Sequence, residues 1–308
     1  EEEENIWIYV AHSDGLLFGA AGPSPRIKKP TRFGPMFSRG ICHMIFALDP
    51  ATGKVVWKHS AKIRTNSLAI GGGRFYFLED DFPASMVLHA FDTKTGERLW
   101  STPKRTIPEG SVPKTLTYFK EKIWIQAWKD SWHNLYRDEG PLRAVPVYSA
   151  KDGKFLFNPE FPVLDDDGKR PDKEMLCFVM FAGDFALSMM GHHSALKVKA
   201  DLETGKAVWR KSLPIGGCGP SYLTPKYGFG KGNWVDLETG KGGRKGGSWG
   251  PVRTACHVVA IPANGMVYVP AGGCTGCYYG FRGNMAFAHG TVSITEPGME
   301  RLVKGPAF

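Results

Sequence analysis

The sequence predicts an all-β fold built from repeated four-stranded antiparallel units, and three observations lead there. A twelve-residue pattern, Phe46-Ala47-Leu48-Asp49-Pro50-Ala51-Thr52-Gly53-Lys54-Val55-Val56-Trp57, returns as His89 to Trp100 and again as Val198 to Trp209, with weaker copies at Val147 to Phe157 and Trp234 to Lys241. Its glycines, at 53, 96, 153, 205 and 240, are spaced 43, 57, 52 and 35 residues apart. No run with helical 3.6-residue periodicity accompanies them. A period of about 40–50 residues in a strand-rich chain marks propeller blades. The predicted fold is therefore a β-propeller of four-stranded antiparallel blades. At roughly 42 residues per blade the chain closes about seven, or eight if part of the ring lies outside it.

Each copy reads as a hairpin. An alternating strand reaches Asp49, Asp92 or Asp201, a Thr-Gly turn follows, and a second strand leaves toward Trp57, Trp100 or Trp209. Asp bonds its own backbone two residues on, and Gly supplies the positive φ of a tight reversal. The three tryptophans are expected in the core, packed against the neighbouring blade, and not on a sugar-binding surface. Residues 1–40 and 255–290 supply further strands.

Between the copies, Ile123 to Tyr136 holds Trp124, Trp128, Trp132 and His133, a blade strand with its loop in preference to a sugar-stacking rim. Asp165-Asp166-Asp167-Gly168-Lys169-Arg170-Pro171-Asp172 has the start of a calcium loop, but Leu176 stands where an EF-hand needs its glutamate, so a solvated turn is expected. His192 and His193 are neighbours on an expected strand, so their side chains point to opposite faces.

All 308 residues are read as one propeller domain, which can itself belong to a longer chain or assembly. Lysine and arginine number 39 against 30 acidic residues, and Lys226, Lys231, Lys241, Arg244 and Lys245 crowd a glycine-rich stretch. A solvated loop is the plain reading; a basic patch for an anionic extracellular polymer is the sharper one. No nucleic-acid-binding module is readable. No apolar run is long enough to cross a bilayer as a helix. The chain opens on four glutamates instead of a basic and then apolar leader, which suggests a mature end or an earlier cleavage.

The Ala-x-Asp-x-x-Thr-Gly-x-x-x-Trp pattern resembles the pyrroloquinoline-quinone-like (PQQ-like) propeller repeat. That repeat occurs in quinoprotein dehydrogenases and in noncatalytic assembly proteins of the outer envelope. The resemblance implies seven or eight blades, a ligand site on the radial axis and a periplasmic or secreted location. A second resemblance lies in residues 215–290, through Ile261-Pro262-Ala263-Asn264-Gly265 and Cys274-Thr275-Gly276-Cys277-Tyr278. This segment is similar to the closing part of large PQQ-like propeller proteins of planctomycete-type bacteria.

Six cysteines stand at 42, 177, 218, 256, 274 and 277. Two disulfides among Cys218, Cys256, Cys274 and Cys277 are expected, in any of three connectivities, and suit an oxidising compartment. The competing reading is a metal site in which Cys274 and Cys277 are joined by Cys218, Cys256 or His257 around zinc. Cys42 and Cys177 are expected as buried free thiols. The adjacent-cysteine disulfide of PQQ alcohol dehydrogenases has no counterpart here, nor do their acidic metal ligands. No cofactor is therefore assigned; calcium and zinc are the ions considered, and PQQ is not expected.

The function expected is a noncatalytic extracytoplasmic scaffold that binds proteins or an extracellular polymer, including carbohydrate. The alternative is a carbohydrate- or alcohol-active enzyme, polysaccharide lyase or quinoprotein dehydrogenase-like, with a metal or quinone at the channel mouth. Its candidate groups are His192, His193, Tyr278, Tyr279 and Arg282, because His and Tyr can exchange protons and Arg can neutralise a uronate. No nucleotide loop or serine-hydrolase elbow is present.

Overall fold

A computed structural model of the protein describes residues 5–23, 27–31, 34–37, 41–81, 85–103, 106–108, 111–129, 142–161, 176–190, 196–212, 222–229, 234–239, 241–243, 261–263, 266–269 and 285–288. Among the described residues there is no helix, and every strand pair is antiparallel. The first sheet contains Asn5–Ser13 (β1), Leu16–Pro23 (β2), Ile41–Leu48 (β5), Val55–Gly71 (β6), Arg74–Asp81 (β7), Ser85–Asp92 (β8) and Arg98–Ser101 (β9). They are ordered β1-β2-β5-β6-β7-β8-β9, while Ile27–Thr31 (β3) and Gly34–Phe37 (β4) pair as a separate hairpin.

The long strand β6 joins two four-stranded units. From Val55 to Arg64 it pairs with β5, and from Ile63 to Gly71 it pairs with β7. It is thus the outer strand of the first unit and the inner strand of the second, the connection a propeller uses between blades. The third unit is Ser111–Phe119 (β10), Lys122–Lys129 (β11), Val147–Ser149 (β13) and Phe155–Phe157 (β14), with Leu142–Ala144 (β12) added along β11. The fourth is Leu176–Ala182 (β15), Phe185–Met190 (β16), Leu196–Asp201 (β17) and Ala207–Ser212 (β18). The fifth is Tyr222–Leu223 (β19), Tyr227–Phe229 (β20), Trp234–Asp236 (β21) and Gly242–Gly243 (β22). Ile261–Ala263 (β23), Met266–Val269 (β24) and Met285–Ala288 (β25) form a three-stranded sheet.

The period-two geometry of a strand explains how the units stack. In β7, Phe75 and Phe77 join the cluster between the first and second units, while Tyr76 and Leu78 join the cluster between the second and third. All four are essentially inaccessible to solvent. In β11, Ile123 and Ile125 face the second unit, and Trp124 faces the fourth. In β16, Ala186 packs toward the third unit, and Phe185 and Leu187 toward the fifth. A strand covered on both faces needs apolar residues at every position, which is what these segments supply. Each such side chain contributes roughly 1.5–3 kcal/mol by leaving water.

Candidate functional site

The recurring turn joins the third and fourth strands of each unit, and its geometry repeats closely. Asp49 Oδ1 accepts from the Ala51 and Thr52 amides at 2.8 and 3.2 Å, Asp92 Oδ1 from Lys94 and Thr95 at 2.9 Å each, and Asp201 Oδ1 from Glu203 and Thr204 at 3.0 and 2.7 Å. Asp236 does the same with Glu238 and Thr239. The threonine hydroxyl then accepts from the amide two residues on, as Thr95 does from Glu97 at 3.2 Å. In the weaker copy Ser149 replaces the aspartate and Asp152 replaces the threonine, and the same bonds form to Lys151 and Lys154.

These hydrogen bonds favour the ionised carboxylates. The Thr95 amide leads in holding Asp92 below the ordinary aspartate range, the Thr204 side chain in lowering Asp201, and the Thr239 amide in lowering Asp236. Asp92, Asp201 and Asp236 therefore hold their own turns together and are poor proton donors.

The motif's last ring reaches the next unit. Trp57 Nε1 donates to the Thr93 carbonyl at 2.8 Å, and Trp100 Nε1 donates to the Ala150 carbonyl at 3.3 Å. Both rings lie beneath the turn glycine of the following unit: a Cβ on Gly96 would sit 2.5 Å from Trp57, and one on Gly153 would sit 2.6 Å from Trp100. Phe157 takes the same place under Gly205. The expectation that Trp57 and Trp100 serve packing holds, with Trp57 buried and Trp100 partly buried; Trp209 packs against the cluster between the fourth and fifth units. Trp124 is fully buried within β11, so it belongs to a strand and not to a sugar platform.

One acid–histidine–hydroxyl line crosses the second unit. His89 Nε2 meets Glu79 Oε2 at 3.1 Å and His89 Nδ1 meets Ser101 Oγ at 2.7 Å. The three residues come from β7, β8 and β9. Burial lowers the His89 pKa, opposed by the Glu79 charge and hydrogen bond and assisted by Arg98 and His59. Both imidazole nitrogens are engaged, and the line ties three strands together.

Cys42 is a buried free thiol, as expected, and burial pushes its pKa up to about 11, which makes it a poor nucleophile. His192, His193, Cys218, Cys256, His257, Cys274, Cys277, Tyr278, Tyr279 and Arg282 lie outside the described residues, as do Trp132, His133 and Asp165 to Asp172. Among the described residues, no group of three or more His, Cys, Asp or Glu side chains is placed to hold a metal ion.

Sequence reading missed a feature of the outer strands. In four units the residue just before the docking ring is skipped by the ladder. Ala47 faces Trp57 and Leu48 faces Val55; Ala90 faces Trp100 and Phe91 faces Arg98; Val147 faces Phe157 and Tyr148 faces Phe155; Lys199 faces Trp209 and Ala200 faces Ala207. The bulged residues are Val56, Leu99, Leu156 and Val208, and all are exposed, at 47, 46, 42 and 56 %. A bulge re-aims a side chain, and here it turns an apolar one outward four times. The signal was the apolar residue ahead of each ring, which strand alternation alone reads as ordinary.

Residues 33–127, spanning parts of the first three units, match a family model described as outer membrane protein assembly factor BamB. The match covers 95 of the chain's 308 residues. Among solved structures, the computationally designed Ika8 protein is similar to this chain at 12% identity, covering 92% of this chain and 83% of that one with a TM-score of 0.50. BamB from Moraxella catarrhalis is 13% identical over 83% of this chain and 76% of its own, with a TM-score of 0.43. A europium-containing methanol dehydrogenase is 13% identical over 93% and 69%, with a TM-score of 0.46. At 12% identity the likeness to the designed protein is one of fold. No curated protein sequence matches the chain at a significant level.

Proposed function

We propose that this propeller is a noncatalytic scaffold working outside the cytoplasm, binding partner proteins or an anionic extracellular polymer through its broad exposed faces. The observation that supports this most directly is how the motif's polar groups are used. The turn aspartates bond their own amides and the indoles cross to the next unit. Rigid blades with exposed apolar and basic outer strands suit recognition more than chemistry. A match over residues 33–127 to a family described as an assembly factor agrees with that reading. The extracytoplasmic setting goes with two disulfides among Cys218, Cys256, Cys274 and Cys277.

Native mass spectrometry of protein purified from its source, combined with cross-linking in intact cells, tests the reading. Protein without a bound quinone or metal, cross-linked at constant stoichiometry to an envelope partner, is the expected result. A bound quinone with dye-linked alcohol oxidation, or cleavage of a polyuronate, overturns it. Alkylation under denaturing conditions checks the compartment: the four clustered cysteines are expected to resist labelling until reduced, whereas Cys42 labels at once.

A further inference from the structure

The first unit differs from the second to fifth on the face that precedes it in the ring. In those units the residue just after the turn's first position is buried, as Thr93, Ala150, Leu202 and Leu237, whereas its counterpart Pro50 is exposed. The turn glycines divide in the same way. A Cβ would strike a ring on Gly96, Gly153 and Gly205, but would meet nothing within 4 Å on Gly53. Leu17 and Leu48, paired across β2 and β5, hold the ladder places of Phe75 and Phe91, paired across β7 and β8. Phe75 and Phe91 are buried against the first unit, while Leu17 and Leu48 are only partly covered. On the same face the ladder sets Val10 beside Gly19 and Phe46, Trp7 beside Ala21, and Val55 beside Leu48. Trp7, Val10 and Val55 are exposed at 49, 58 and 57 %, with Trp7 edge-on to Phe46 at 5.0 Å. The opposite face is the one that meets the second unit, through Phe18, Ala20, Ile45 and Ala47. A contiguous exposed apolar face of this kind marks an interaction site.

Resting on the scaffold reading and naming a partner for it, we propose that this face docks a β-blade of another protein whose outer strand ends in tryptophan, the indole seating on Gly53 and donating to the Pro50 carbonyl. The joints inside the chain define that occupant. Trp57 covers Gly96 and donates to the Thr93 carbonyl, Trp100 covers Gly153 and donates to the Ala150 carbonyl, and Phe157 covers Gly205. Gly53 and Pro50 repeat the receiving half of this joint, and Gly53 has the same backbone as Gly96, with φ of 70° and 71°. A glycine lets a flat ring lie directly against the turn, and the carbonyl satisfies an indole N–H that would otherwise be buried unpaired. The chain's own motif rings are committed. Trp57, Trp100 and Phe157 are seated, and Trp209 packs between the fourth and fifth units. Neither aspartate nor tryptophan occurs after Trp249, so β23 to β25 and the residues beyond carry no such turn and no indole to offer. A second copy holds the same rings in the same seats, which leaves a different protein as the donor.

The test places a benzophenone-bearing residue at Val10 of the full chain in intact cells and identifies what it captures on illumination. The expected product is a cross-link to a different protein whose sequence carries the Asp-x-x-Thr-Gly turn and closing tryptophan. Gly53→Ala puts a Cβ in the ring's seat and is expected to lower the yield about tenfold or more. Gly73→Ala imposes the same left-handed backbone, with φ of 71° and nothing within 4 Å of the added Cβ, and is expected to leave the yield unchanged. Circular dichroism verifies that both variants fold. A labelled, backbone-cyclised hairpin with the sequence of His89 to Ser101 is the probe in solution, read by fluorescence anisotropy with the full chain. Trp100→Ala in the hairpin is expected to weaken binding about tenfold or more, and Trp100→Phe, which keeps a ring but loses the N–H, about fivefold. No cross-link, cross-links only within the chain, to a second copy or to a protein without the motif, an equal loss in Gly73→Ala, or a hairpin that fails to bind or binds regardless of Trp100 overturns the proposal. If any of these holds while the purified protein carries no quinone or metal, the docking face falls and the scaffold reading stands; a bound quinone with oxidase activity removes the scaffold reading instead.

Discussion

Gly53 and Gly96 occupy the same place in the motif and have nearly the same backbone, with φ of 70° and 71°. They differ in what lies above them. A Cβ on Gly53 would meet nothing within 4 Å, whereas one on Gly96 would strike the Trp57 ring at 2.5 Å. Gly53→Ala is therefore expected to cost only the left-handed backbone term, about 1–2 kcal/mol. Gly96→Ala adds displacement of a buried indole and is expected to cost about 1–3 kcal/mol more. Urea denaturation of both variants measures the difference, and equal losses would show that the ring does not depend on that glycine. The turn itself was legible in the sequence because Asp, Thr and Gly act locally, over five residues. The partner of the ring was legible only in kind: packing on a neighbouring blade was expected, but nothing in Trp57 itself points to Gly96 or to the Thr93 carbonyl, which lie some forty residues away in sequence.

Strands carry information that single residues do not. The segment from Ile123 read as a blade strand with its loop, and the continuous apolar runs of β7 and β11 go with burial on both faces. The bulges before the rings escaped, because a ladder that skips Val56 or Leu99 leaves no trace in alternation when its neighbours are also apolar or long. The line across β7, β8 and β9 is the clearest case of an element-level property. His89 in isolation suggests a proton carrier; between Glu79 and Ser101 it is a buried tie. Its pKa lies below the ordinary histidine value of about 6.5 chiefly through burial. As pH falls through that ordinary value, the unfolded chain takes up a proton that the folded chain refuses. The His89 contribution to stability is thus complete above the ordinary value and is lost as pH falls through the lower, folded one. Folding stability is expected to drop between pH 7.5 and 5, and His89→Gln to flatten that part of the profile while lowering stability at pH 7.5. Urea midpoints across this range decide it; an unchanged slope in the variant would assign the pH dependence elsewhere.

At the scale of the whole molecule, the repeat period led correctly to a propeller because each unit's hairpin signature is short-range. The candidate site was much less legible. The histidines, tyrosines and cysteines singled out by residue type, His192 to Tyr278 and Cys218 to Cys277, fall between the repeats or after the last of them, where spacing says little about which groups meet. What the sequence could not reveal at all is how one unit is fastened to the next by a polar side chain. Gln126, fully buried in the third unit, donates to the Val179 carbonyl at 3.0 Å and accepts from the Val179 amide at 2.9 Å in the fourth. A lone glutamine in an apolar strand reads as a surface position, yet here it satisfies both backbone groups of one residue of β15. Removing the amide leaves a buried donor and a buried acceptor without partners, which costs about 1–3 kcal/mol for each group. Gln126→Leu, similar in volume, is therefore expected to lower stability by roughly 2–6 kcal/mol, with amide exchange at Val179 accelerating as much as or more than at Phe75 or Tyr76. Gln126→Glu keeps an acceptor for the Val179 amide but loses the donor to its carbonyl and buries a charge, so it is expected to rescue little at neutral pH and more as the carboxyl protonates. Exchange that rises uniformly across all units would show that Gln126 supports the fold globally; acceleration confined to β11 and β15 would place its effect at the joint between the third and fourth units.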